Sequence, residues 1–69
     1  MEEDIREELA GFGTEHGWST DGFSDATRKA HVEAKKKMRD PRKPVEVILQ
    51  EVVETNPLDY HVIVRFPSN

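Results

Sequence analysis

The sequence predicts an α+β fold in which one main helix packs on a small antiparallel sheet. Two apolar runs with strand character, separated by a turn-like segment, indicate a β-hairpin over residues 44–67. In the preceding stretch, alanines recur every fourth residue, which is the period of one helix face. A hairpin and one helix leave room for a third strand, which would come from the N-terminal segment or from a neighbouring subunit.

The last strand of the hairpin has the clearest pattern. Four side chains of the aromatic or β-branched types that pack well on a pleated surface share one face. They are Tyr60, Val62, Val64 and Phe66. Before them, Asn56 and Pro57 favour a loop of about five residues, because proline cannot donate to a strand ladder and asparagine tolerates turn geometry.

The first strand of the hairpin constrains the register. We predict two antiparallel pairs, Leu49 with Val64 and Val47 with Phe66. This register places Glu51 opposite Val62, which is unfavourable in a core. A β-bulge near Glu51 would relieve the conflict, because one extra residue exchanges the two faces beyond it. Ile48 and Ile63 fall on the second face, and we expect that face to be buried between subunits.

The main helix is predicted over residues 22–40. Ser24 is suited to the N-cap, Asp25 to the first turn, and Phe23 to packing back on that turn. The stripe expected to face the sheet consists of Ala26, Ala30, Ala34 and Met38. Val32 lies opposite this stripe and would be exposed or used in an assembly contact, and Pro41 stops the helix.

Residues 1–21 read as an acidic N-terminal segment followed by a loop. Residues 2–10 favour a short helix, or else a poor first strand, while residues 13–22 read as a polar loop that holds Trp18, the only tryptophan. Charge is divided along the chain. Residues 1–25 carry eight acids and one base, and residues 26–43 carry eight bases and two acids.

Length and composition limit the protein classes. With 69 residues the chain forms one domain, residues 1–69, and a core of that size is marginal without further support. The chain has no cysteine, so oligomerisation is the remaining common means of stabilisation. No apolar run is long enough to span a bilayer and no signal peptide is visible, so we expect a cytoplasmic protein without membrane contact.

The residues give little sign of catalysis. His16, His31 and His61 match no metal-binding spacing, and no phosphate-binding glycine loop or paired nucleophile is visible. We therefore expect no metal, no catalytic residue and no enzyme. The side chains chosen as candidates for ligand contact are Trp18, Tyr60 and His61. Trp18 would either cover the sheet or stack on a planar ligand.

A run of basic residues offers a second functional hypothesis. The patch consists of Arg28, Lys29, Lys35, Lys36 and Lys37. These side chains would bind nucleic acid or an acidic partner, although such a run is more often a solvated helix face that complements the helix dipole. The net charge of −4 weighs against attraction of the whole protein to nucleic acid.

Residues 22–66 resemble the dodecins. The similarity lies in the helix start Gly22-Phe23-Ser24-Asp25-Ala26, the strand Val45-Glu46-Val47 and the final strand running from Tyr60 to Phe66. Dodecins open with a strand ending near a Gly-Thr-Ser turn, of which Gly13-Thr14 would be a remnant. Flavin-binding dodecins stack the ligand on a tryptophan near the start of the strand after the helix, but residues 42–45 here contain no aromatic side chain.

The resemblance implies a small non-enzymatic protein that assembles into a homo-oligomer and binds a small ligand at subunit contacts. Flavin is suggested as the cofactor by the resemblance alone. The alternative is the nucleic-acid or acidic-partner module that uses the basic patch.

Overall fold

The computed structural model describes residues 11–68, which form one helix on a three-stranded antiparallel sheet. The elements are β1 (Phe12–Ser19), α1 (Phe23–Lys37), β2 (Glu46–Val53) and β3 (Asp59–Pro67). The strand order is β1-β3-β2, so β3 is central and pairs with both neighbours. This arrangement confirms the predicted α+β class and supplies the third strand from the chain itself.

The first strand replaces the loop predicted over residues 13–22. All eight residues of β1 pair with β3, from Phe12 opposite Pro67 to Ser19 opposite Tyr60. The prediction was wrong because glycine and polar residues suggested a loop, whereas here Gly13 and Gly17 are required by close packing. A Cβ on Gly17 would lie 1.9 Å from the carbonyl oxygen of Ala26. Residues 2–10, predicted as a helix or a poor strand, lie outside the described residues.

The hairpin has the predicted strands but a different register. Val47 pairs with Val64 and Leu49 with Ile63, and the irregularity falls between Val47 and Leu49 rather than near Glu51. Ile48 is thus the extra residue of a bulge. The bulge exchanges the faces early enough to place Glu51 opposite His61, away from the core.

The helix is shorter than the predicted span of residues 22–40. Its N-cap is Gly22, with φ of 138°, a conformation that favours glycine. No side chain caps the helix, so the expected N-cap role of Ser24 is wrong. Phe23 is the first helical residue, and its ring meets Tyr60 edge-on with centroids 5.0 Å apart.

The core lies between the alanine stripe of α1 and the central strand. Its fully buried or nearly buried members are Ala26, Ala30, Ala34, Met38, Val62, Val64 and Phe66. This confirms the predicted helix stripe. The small side chains allow the helix backbone to approach Gly17 closely. The helix packs against β1 and β3, so the flank of β2 that carries Val47 and Val52 stays exposed.

Candidate functional site

The face of the sheet opposite α1, here called the outer face, carries three rows of side chains across the strands. The register places Trp18 and Glu51 on either side of His61, His16 and Leu49 on either side of Ile63, and Thr14 and Glu46 on either side of Arg65. Two rows with charged or polar members therefore flank a middle row that contains Ile63 and Leu49. No element within residues 11–68 covers this face.

A hydrogen-bonded relay crosses the three strands on the outer face. Oε1 of Glu51 lies 2.7 Å from Nδ1 of His61, and Nε2 of His61 lies 2.8 Å from Nδ1 of His16. Because a carboxylate can only accept, Nδ1 of His61 carries a proton. In the tautomer in which Nδ1 carries the single proton of His61, its Nε2 accepts from the Nδ1–H of His16. This assignment leaves the lone pair of His16 on Nε2.

Trp18 covers the middle of this relay. Its ring stacks on His61 with centroids 3.9 Å apart and an interplanar angle of 12°. As a whole residue, His61 is only 6% exposed, whereas Trp18 is 45% exposed. Trp18 therefore packs on the sheet, as one of the two predicted alternatives has it, while the stacking of a planar ligand on its exposed part stays a prediction.

A groove lies between the β1 edge and the helix, beside the outer face. Its volume is about 330 Å³. The lining residues are His16, Gly17, Trp18, Arg28, Lys29, Val32 and Glu33. The groove thus combines an indole, an imidazole and an aliphatic side chain with two cations. Val32 is exposed, in agreement with its predicted position opposite the alanine stripe.

Asp25 holds the two cations of the groove. Its carboxylate accepts from Ser19 Oγ at 2.6 Å and from an Arg28 guanidinium nitrogen at 2.7 Å, and it lies 3.2 Å from the Lys29 ammonium. These contacts, with the Ser19 hydrogen bond as the largest cause, hold the pKa of Asp25 well below its ordinary value of 3.8. Lys29 also donates to the backbone oxygen of Trp18.

The predicted basic patch is paired within the chain. Arg28 and Lys29 meet Asp25, and Lys36 meets Glu33. Lys35 donates to the carbonyls of Pro41 and Lys43, and Lys37 pairs with Glu15, which raises the pKa of Lys37. Four of the five cations thus have a carboxylate partner and Lys35 has two carbonyl partners, so the patch is a weaker candidate for binding phosphates than its sequence indicates.

The three side chains selected as ligand contacts do not lie together. Trp18 and His61 stack on the outer face, as described, but Tyr60 points to the helix side and packs against Phe23. Within residues 11–68, no group of three or more histidine and acidic side chains is arranged to hold a metal ion.

Sequence reasoning missed the roles of His16 and Glu51. Glu51 stood out only as a conflict in the wrong register, and His16 was assigned to a loop. The missing signal was the period-two alternation of Phe12, Thr14, His16 and Trp18, which places all four on one face of a strand.

The fold and site define a small α+β domain with an open, aromatic outer sheet face. Comparisons with protein-family models, curated proteins and solved structures find no match to this chain. Within residues 11–68, the helix lacks the length and apolarity needed to cross a membrane.

Proposed function

We propose that this is a small non-enzymatic, dodecin-like protein of the cytoplasm. It assembles with copies of itself through the outer face and binds a small planar ligand beside Trp18 at the subunit contact. The observation that carries the proposal is an outer face that no element of residues 11–68 covers, and on which Trp18, Phe12 and Leu49 are exposed.

The size of the core supports assembly. Among residues 11–68, three of the seven core members are alanines, which bury little area each. Several large apolar side chains remain exposed instead, namely Phe12, Trp18, Val32, Val47, Ile48, Leu49, Val52 and Leu58. Of these, Phe12, Trp18 and Leu49 lie on the outer face, and exposed apolar side chains gathered on one face are typical of a protein-protein contact.

The arrangement of the outer face favours a second copy as the occupant. Its middle row is apolar at Ile63 and Leu49, whereas the row of Arg65 ends in an ion pair of 2.6 Å with Glu46. Arg65 also lies over the Phe12 ring, 4.9 Å from the centroid. A face that carries both an apolar strip and matched charges can meet a copy of itself around a two-fold axis.

Two features support the dodecin-like part of the proposal. The helix is preceded by a strand, as the resemblance requires, and the hairpin follows it in the same chain. The position of the flavin-stacking tryptophan is not matched, since residues 42–45 hold no aromatic side chain. A flavin would therefore have to use Trp18, and a yellow preparation would identify it.

Light scattering of the full chain at micromolar concentration tests the assembly. We expect a mass of at least twice the 7.9 kDa of one chain. Leu49→Lys places a charge in the apolar middle row and should lower that mass. Thr20→Lys adds the same charge at an exposed position after β1 and serves as the matched control. A monodisperse monomer for the parent protein would refute the assembly.

A further inference from the structure

The relay ends at the groove. Nδ1 of His16 makes the hydrogen bond to His61, so Nε2 is the ring nitrogen that takes no part in this bond, and His16 is one of the residues that line the groove. With Nδ1 protonated, Nε2 presents a lone pair. We propose, building on the proposed ligand site, that the groove binds a planar weak acid with an ionisable O–H, such as a phenol, and that His16 takes its proton.

The relay can accept one proton without losing a hydrogen bond. The ligand O–H bond breaks, its electron pair stays on the ligand oxygen, and the proton bonds to Nε2 of His16. His16 becomes an imidazolium that still donates from Nδ1 to His61, and His61 still donates to Glu51. The half-exposed Glu51 carboxylate favours the new cation through the intervening His61.

The groove also suits the anion that is formed. Arg28 and Lys29 line it and can approach an oxyanion, although Asp25 shares both cations. Glu33 lines it as well, and Lys36 pairs with Glu33 at 3.1 Å.

Each element packed near His16 contributes charged or titratable groups. The helix supplies Arg28, Lys29 and Glu33, β3 supplies His61, and β2 supplies Glu51 through His61. Trp18 and Val32 provide the apolar surface that a planar ring requires.

The probe for this inference is 4-nitrophenol, whose ionised form has its own visible absorption band. The full chain is added to the probe at a pH slightly below the midpoint of the free phenol. We expect the band to grow to saturation, with the ionisation midpoint of the bound probe lower by about one pH unit or more, as a nearby opposite charge produces. The sole tryptophan provides a second signal, because a probe beside Trp18 quenches its fluorescence.

Three variants separate proton transfer from binding. His16→Gln should abolish the growth of the phenolate band. Glu51→Gln retains a hydrogen-bonding side chain but removes the charge, so it should quench Trp18 as the parent does and give a smaller band. His31→Gln is the matched control, since His31 does not line the groove, and should behave as the parent does. Circular dichroism checks that each variant is folded.

Saturable quenching of Trp18 without growth of the band would overturn the proton transfer and leave the planar-ligand site in place. An equal band in His16→Gln and the parent would also overturn it. The absence of both signals would contradict the groove as a ligand site, whereas assembly is judged separately by mass.

Discussion

The two faces of the sheet are held together by different interactions. On the helix side, Val62 and Val64 are fully buried under alanines, and Gly17 lets two backbones approach closely. On the outer face, hydrogen bonds join Glu51 to His61 and His61 to His16, and about half of the Trp18 surface remains exposed. One face therefore provides most of the core, while the other is organised by hydrogen bonds and is available for contact.

The largest expected effect is on the helix side, at Gly17. In Gly17→Ala the new Cβ would lie 1.9 Å from the Ala26 carbonyl oxygen and 2.8 Å from the Ala30 nitrogen. Both obstacles are backbone atoms, so the helix must move. We expect a loss at or above the upper end of the roughly 1–3 kcal/mol that overpacking costs. Since a domain of this size rarely has more than about 3–5 kcal/mol of stability, the variant should be largely unfolded in thermal denaturation.

Gly13→Ala is the control for that prediction. Its Cβ would meet the Phe66 ring at 2.6 Å, and the ring can shift more easily than a backbone. The melting temperature should fall less than in Gly17→Ala. An equal fall in melting temperature in the two variants would contradict the claim that Gly17 is needed for the close approach of helix and strand.

The next effect concerns the alanine stripe. Ala30 is fully buried, and Ala30→Leu should push the helix away from the sheet at a cost of roughly 1–3 kcal/mol. Val32→Leu is the matched change on the exposed side of the same helix and should leave the unfolding free energy of the monomer nearly unchanged. Urea denaturation compares the two, and an unchanged midpoint for Ala30→Leu would remove this residue from the core.

A smaller effect is expected from pH. The pKa of Asp25 is lowered in the folded protein, so the unfolded chain binds the proton first on acidification. The stability due to Asp25 is therefore complete above its ordinary pKa of 3.8 and declines as the pH falls below that value. Asp25→Asn should be less stable than the parent at neutral pH, and the difference should shrink in acid. If the melting temperatures of Asp25→Asn and the parent protein differed by the same amount at every pH, this linkage would be contradicted.

The sequence predicted the parts of the fold that depend on local period. The alternation ending at Phe66 identified β3, and the four-residue spacing from Ala26 to Met38 identified the buried side of α1. The bulge was expected from the conflict at Glu51 but was placed wrongly. Register depends on pairing along the whole hairpin, and one extra residue at Ile48 changes every later pair.

The site was less predictable because it depends on contacts between distant residues. His16 and His61 are 45 positions apart, and only the pairing of β1 with β3 brings them together. Trp18 and His61 were identified as candidates individually, but their stacking required β1 to be recognised as a strand. Glycine at positions 13 and 17 hid that strand, because glycine is depleted in strands unless another backbone or ring packs closely on it.

The most direct test of the outer face as the assembly surface is the accessibility of Trp18 as a function of protein concentration. Acrylamide quenching of its fluorescence should weaken, and its emission should shift to shorter wavelength, over the concentration range in which light scattering shows the mass increasing. Leu49→Lys should retain the quenching of the dilute protein at every concentration. If acrylamide quenched Trp18 equally before and after association, the copies would meet elsewhere, and assembly through the outer face would be contradicted.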